Sequence, residues 1–485
     1  MRFRNTIIVF VLAAILGGYA LINVIGLKPV APDKLVKVDV KDISTIELRY
    51  PAGSVEIERN PDRTWEIVKP FRADADQTAA DGLASNIADA TISKTVEPNP
   101  ADLAPFGLKN PAVVVTVTSS KAGVQPAIEV GRLSPMGSGA YVKVAGKPAL
   151  LMTSSAFPSE VTRKPDDLRS HDLFTFNLDD ANKVIVSVGA NPPTELDRIA
   201  GKWQIVAPAK YPADPDKVNS LLTALINARA LEFVNDAPTD LSMYGLATPQ
   251  AQVSVFTGKG NAEQSLLFGF KEPQAELNAV YVKRGEGPTV FTAQSDLLTK
   301  INLPIPDLRD KTLLSFDPHQ VGRLEIVNRR KRYALVRGAA GKWDVVENGK
   351  SSPANNDAVR SVLDEIQALK GESIVVDPMT NPQPFGIDKP LEEITLVGIE
   401  GKTIGTIKLN QISATVPNEP TPTPAPGAPT QMRTVMGFTN YAFSSATPAL
   451  MTLKESDFSQ FDMAADDFRL STPVPSPSAS VTPKP

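Results

Sequence analysis

The sequence predicts three tandem α+β repeats, each an antiparallel sheet with a packed helix, behind one N-terminal transmembrane helix. Three observations carry that expectation. The three tryptophans of the chain, Trp65, Trp203 and Trp343, are separated by 138 and 140 residues, and the same landmarks recur around each. Short strand patterns follow one another without the strict strand–helix alternation of a doubly wound parallel sheet. An uncharged, proline-free run of twenty residues, Thr6 to Ile25, follows Arg2 and Arg4. The expected organisation is a cytoplasmic stub, anchor and linker over 1–35 and repeats over 36–178, 179–318 and 319–470. A disordered proline-rich loop at 417–430 falls inside the third repeat, and a disordered Pro/Ser/Thr tail covers 471–485.

The anchor comes first in the chain. At about 1.5 Å per residue, a helix of this length spans roughly the 30 Å hydrocarbon core. A cleaved signal peptide is the alternative, with Gly18-Tyr19-Ala20 as a small-x-small site. Leu21, Ile22, Val24 and Ile25 continue the apolar run past that site, as an anchor would. Lys28, Lys34, Lys37 and Lys41 follow the segment, but they belong to a long translocatable region and are mixed with Asp33, Asp39 and Asp42. Both alternatives place the repeats outside the cytoplasm, and the anchor reading makes the chain a single-pass membrane protein.

Each repeat opens on alternating strands: Ile46-Glu47-Leu48, Val184-Ile185-Val186 and Leu324-Glu325-Ile326. The tryptophan strands follow, Trp65-Glu66-Ile67-Val68, Trp203-Gln204-Ile205-Val206 and Trp343-Asp344-Val345-Val346. Alternation puts each Trp on one face with Ile67, Ile205 or Val345, which marks core; an exposed sugar-stacking platform is the sharper alternative. Asp74, Asp214 and Asn355 have the side chains of helix N-caps, and Pro215 suits a first helical position. Val218, Leu221, Leu222 and Leu225 form a helical stripe in the second repeat, as do Val359, Leu363, Ile366 and Leu369 in the third. The first repeat has only Leu83 and Ile87 among alanines.

An aromatic-Gly-aliphatic triplet lies 41, 41 and 42 residues beyond the Trp: Phe106-Gly107-Leu108, Tyr244-Gly245-Leu246 and Phe385-Gly386-Ile387. Pro111, Pro249 and Pro390 come soon after. This is the pattern of a helical turn capped by a left-handed glycine and stopped by proline. A phosphate cradle fits poorly, because one glycine with no following lysine pattern cannot form one. Gly131, Gly269 and Asn410 each stand 25 residues after the aromatic of the triplet. Since Gly and Asn tolerate positive φ, a turn or bulge with left-handed backbone is expected there. Tyr141, Tyr281 and Tyr441 precede Arg169, Arg309 and Arg469 by 28 residues, and those arginines close Asp-x-Arg triplets beginning at Asp167, Asp307 and Asp467. A structural ion pair or cap near the next repeat is the simpler use of each arginine, and a grip on an anionic ligand the sharper one.

Composition narrows the functions. A net charge of −4 gives no case for nucleic acid. The basic cluster Arg329, Arg330, Lys331 and Arg332 reads as a solvated hairpin, with a partner or lipid contact as the alternative. The chain has no cysteine, which excludes disulfides, thiol catalysis and thiolate metal sites. His171 and His319 occupy non-equivalent positions, so a repeated zinc site is implausible. No recurring landmark pairs a nucleophile with a base; no catalytic, cofactor-binding or metal residue is expected, and no cofactor.

These landmarks resemble a bacterial family known as domain of unknown function 4340, in three tandem copies over roughly residues 40 to 470. The matching features are the three tryptophan strands, the Ala73-Asp74 and Ala213-Asp214 helix starts, the three glycine turns with their prolines, and Tyr141-Val142 and Tyr281-Val282. The third copy departs at Asn410, at Tyr441-Ala442 and in its proline-rich insertion. The resemblance implies an anchored, exported protein, in some cases encoded beside export-type ABC transporters linked to gliding motility, and it carries no catalytic residues over. The expected function is therefore a non-enzymatic binding or scaffold role, as an accessory to an ABC-type exporter or another envelope component. A wall- or glycan-binding module resting on the tryptophans is the alternative, and a carboxylate-based envelope hydrolase the more distant one.

Overall fold

The computed structural model describes residues 33–273, 278–329, 332–416 and 435–470. The segment Thr6 to Ile25, Arg330 and Lys331 of the basic cluster, the loop 417–430 and the tail 471–485 lie outside the described residues. Within the described residues, no helix is long and apolar enough to cross a membrane.

Strand alternation works as the opening segments dictate. Ile43–Tyr50, Ala181–Val188 and Val321–Val327 bury Ile46 and Leu48, Val184 and Val186, Leu324 and Ile326 on one face. The third sheet shows the topology most plainly. Its order is Lys350–Pro353, Trp343–Glu347, Arg332–Arg337, Val321–Val327, Glu392–Gly398, Thr403–Val416, Val435–Ser444, Thr447–Leu453, Ile374–Val376, with every pairing antiparallel. The chain thus leaves one edge at Pro353, forms the helix Asn356–Ala368, and re-enters at the opposite edge. The same order recurs in sheets formed within residues 43–153 and 181–294, with the short strand Gly123–Val124 as an addition to the first.

The long helices Gln77–Asp89, Pro215–Ile226 and Asn356–Ala368 bury the predicted stripes, including Leu83 and Ile87, Leu221 and Leu222, Leu363 and Ile366. In the third sheet these side chains join Trp343, Val345, Leu324 and Ile394 in one core. Each buried leucine or isoleucine contributes about 1.5–3 kcal/mol, which outweighs the weak intrinsic preference of a twelve- or thirteen-residue helix.

Two expectations are corrected here. The α+β class gives way to a mainly β chain, with 43% strand against 21% helix in three antiparallel sheets. One stripe per repeat is conspicuous in a sequence, whereas strands as short as Tyr211–Pro212 and Ile374–Val376 carry too little alternation to be read. The first helix start also moves. Asp74 lies on the strand Ala73–Asp74, and the N-cap is Asp76, whose carboxylate accepts from the Ala79 N–H at 3.0 Å. Asp214 and Asn355 cap as expected, accepting from Asp216 and Asp357 at 2.8 and 3.0 Å. Ala75-Asp76, Ala213-Asp214 and Ala354-Asn355 are therefore the equivalent pairs.

Among the described residues the chain divides into two compact units. One holds the residues up to Asp172 with Arg229–Phe233, the other Leu173–Ala228 and the residues from Val234 onward. The first unit carries the first sheet. Within it Arg229 pairs with Asp172 and reaches Asp76 at 3.4 Å.

Candidate functional site

The residues shared by the three sheets converge at two places. At the first, the N–H groups of Ala75, Ala213 and Ala354 donate to the carbonyls of Trp65, Trp203 and Trp343 at 3.3, 3.1 and 2.9 Å. The next N–H, that of Asp76, Asp214 or Asn355, donates to Leu168, Leu308 or Phe468 at 2.8, 2.8 and 2.7 Å. Backbone bridges join the same alanines to Arg169, Arg309 and Arg469. Each arginine thereby closes its own fold.

The guanidinium groups are already engaged. Arg169 is 5% exposed, pairs with Asp166 at 3.2 Å and lies over the rings of Phe71 and Phe233. Arg309 meets Asp377 at 2.6 Å and stacks on Tyr211 at 3.8 Å. Arg469 pairs with Asp466 and, at 2.9 Å, with Glu347. The charge partners are carboxylates of the chain itself, so the arginines serve as ion pairs. Asp167 and Asp467 accept from the N–H groups of Lys164 and Ala464, capping the turns that carry the arginines.

The glycine turn is the second place. Ala104–Phe106, Ser242–Tyr244 and Gln383–Phe385 are single 3-10 turns, ended by Gly107, Gly245 and Gly386 at φ of 73°, 68° and 64°. Leu108, Leu246 and Ile387 are buried, and their N–H groups reach back to Leu103, Leu241 and Pro382 at 3.1, 3.0 and 3.1 Å. The recurring tyrosines find their role here, which the sequence did not reveal. Tyr141, Tyr281 and Tyr441 pack edge-on against Phe106, Tyr244 and Phe385, with ring centroids 4.9, 5.1 and 5.3 Å apart.

The left-handed backbone expected at Gly131, Gly269 and Asn410 is not found; all three lie on strands without positive φ. Close approach explains the small residue instead. A Cβ on Gly131 would stand 2.3 Å from the Phe106 carbonyl oxygen, and one on Gly269 2.0 Å from that of Tyr244. Asn410 meets the same carbonyl differently, donating from Nδ2 to Phe385 at 2.9 Å. The ladder shifts register between Val130 and Leu133 and between Phe268 and Lys271, so a bulge is present in those two sheets. It runs unbroken through Asn410.

Trp65, Trp203 and Trp343 are 2%, 6% and 8% exposed. Trp65 donates from its indole to Asp81 at 2.8 Å and lies beneath Arg59. None offers a face to a sugar, which removes the stacking platform on which the glycan-binding alternative rested.

What distinguishes the sheets is more informative for function. Glu392 stands where the paired registers place Val113 in the first sheet and Ala251 in the second. It is 1% exposed, and neither carboxylate oxygen has a hydrogen-bond partner among the described residues. Burial pushes its pKa up to about 7, the charge of Asp462 adds to the rise, and Arg329 opposes it. Asn328, one residue beyond the Val327–Glu393 pair, donates to the Met463 carbonyl at 2.6 Å. A carboxyl poised near neutrality is a proton acceptor in principle. This one is closed to solvent, so a polymer cannot reach it. An alignment of the opening and following strands would have exposed it as a charge among aliphatic residues.

The second sheet carries a cavity of about 290 Å³ between its opening strands and the segment from Ile301 to Leu308. Val186, Val188, Leu221 and Leu308 make its walls, with Thr194 and Asn302 as polar edges.

No curated protein matches the chain. The sequence profile of one family, the domain of unknown function DUF4340, matches it in two adjacent segments, residues 65–202 and 203–390. Trp65 and Trp203 open the two segments, and the second takes in Trp343 and the Gly386 turn. Together the segments cover more than half of the chain, and the chain therefore belongs to the DUF4340 family.

Proposed function

We propose that this protein is a membrane-anchored, exported binding or scaffold protein that carries three copies of the family domain, near 36–178, 179–318 and 319–470, and works without catalysis beside an ABC-type exporter. One observation carries the reading: the residues shared by the three sheets each have a partner within the fold. The Trp carbonyl, the capping residue, the glycine turn, the tyrosine and the arginine hold the sheets together. An active site would instead need an accessible nucleophile or acid–base pair. Three domains behind one anchor present several weak contacts at high effective concentration. The run Thr6 to Ile25 after Arg2 and Arg4 supplies the anchor and the outward orientation. The exporter comes from the family resemblance alone.

Photo-crosslinking from exposed positions in intact membranes tests this reading. Capture of an exporter subunit is expected. Turnover of a wall polymer by the purified chain, lost on substitution of one Asp or Glu, would overturn it.

A further inference from the structure

Tyr50, Val188 and Asn328 occupy equivalent places at the ends of the opening strands, and Arg163, Leu303 and Met463 each lie six residues before the recurring arginine. In the first sheet the Tyr50 hydroxyl donates to the Arg163 carbonyl at 2.7 Å. In the third, Asn328 is too short to bring a ring, and the phenol comes from the neighbouring strand: the Tyr333 hydroxyl donates to the Met463 carbonyl at 3.2 Å. Tyr333 faces Ile326 across the ladder, as Thr194 faces Val186 in the second sheet and Val55 faces Leu48 in the first. Two routes thus deliver a tyrosine ring to one spot, and the hydroxyl meets the same backbone carbonyl each time.

The second sheet uses neither route. Both positions are small, Val188 and Thr194, and both line the cavity of about 290 Å³ together with Leu303. A dry cavity of about 150 Å³ takes a benzene ring, so the volume suits a substituted ring and falls just short of the range for larger ligands, about 300–1,000 Å³. The Leu303 N–H is engaged with the Ile301 carbonyl at 3.0 Å, so a hydroxyl entering this sheet would donate to the Leu303 carbonyl, as the tyrosines do to Arg163 and Met463 in the other two. We propose that this cavity is a binding site for a para-substituted phenol, the group a tyrosine side chain carries, with its hydroxyl donating to the Leu303 carbonyl. The inference goes beyond the proposed function and does not rest on it, since phenol binding requires no exporter.

Methyl NMR of the full chain, titrated with p-cresol and with toluene as the hydroxyl-free control, tests the site. The expected result is saturable shifts at Val188, Ile301 and Leu303, with p-cresol binding several-fold tighter than toluene. Val188→Tyr and Thr194→Tyr each import the plug of another sheet, and each should abolish the shifts. N-acetyl-tyrosinamide separates the sources: if it binds too, the site takes a protein side chain, and if only p-cresol binds, it takes a free phenol. Absence of saturable p-cresol shifts in the unsubstituted chain, or shifts that survive both substitutions, would overturn the proposal.

Discussion

Ala213 is bridged through its backbone to Arg309, a residue beyond the last strand of the second sheet, while its N–H holds the Trp203 carbonyl at 3.1 Å. That relationship ties the start of the helix to the end of the repeat, and it recurs between Ala75 and Arg169 and between Ala354 and Arg469. Three elements meet at each such corner, so a change to the arginine should be felt by the helix cap as well as by the ion pair.

Replacing Arg309 should be costly. Its partner Asp377 has a side chain only 12% exposed, and removal of the guanidinium leaves that carboxylate uncompensated. Arg309→Met is expected to destabilise by roughly 3 kcal/mol in urea unfolding. Arg309→Lys should recover only part of the loss, because an ammonium does not reproduce the flat stacking on Tyr211. Asp377→Asn in the Arg309→Met background should restore part of it; strict additivity would count against the pairing.

Gly269 and Gly260 provide a paired test of close approach. Gly269→Ala forces a Cβ against the Tyr244 carbonyl and should cost about 1–3 kcal/mol. A Cβ on Gly260 meets nothing within 4 Å, so Gly260→Ala should stay within about 0.5 kcal/mol. Equal melting temperatures for the two variants would refute the steric account.

These outcomes bear on what a sequence discloses. The tryptophan strands, two of the three N-caps, the helical stripes and the glycine turns were legible, because each is a local pattern with one physical cause. Asp74 misled because a second aspartate, Asp76, follows two residues later, and only distance from the tryptophan separates them. Gly131 and Gly269 misled because glycine answers two needs, positive φ and close approach, and a sequence shows the residue without the need. The tyrosine stacking and the Ala–Arg bridges depend on long-range pairing and were not legible. Of the features found in one sheet alone, Glu392 needed only an alignment of the strands, whereas the Val188 cavity depends on three-dimensional packing.

Glu392 makes the third sheet sensitive to pH in a defined direction. Its carboxyl keeps a proton up to about 7 in the folded chain, against 4.5 for the ordinary group. Between those values the folded state binds more protons than the unfolded one, so stability falls as pH rises. The contribution is intact below about 4.5, and roughly 2–4 kcal/mol of it is lost above about 7. Hydrogen exchange at the amide of Ile394, compared at about pH 5 and about pH 8 after correction for intrinsic rates, should show the loss. Glu392→Gln should flatten the dependence. An unchanged slope in that variant would assign the effect to another group.

The central claim is that the shared landmarks serve the fold, and hydrogen exchange at the amides of Asp76, Asp214 and Asn355 tests it most directly. These N–H groups donate to Leu168, Leu308 and Phe468 and should be strongly protected in the full chain. Replacing Arg169, Arg309 or Arg469 by Met should lower protection at the amide bound to the residue just before that arginine and leave the other two unchanged. Rates at all three amides typical of exposed loops, or protection indifferent to every arginine replacement, would contradict the account.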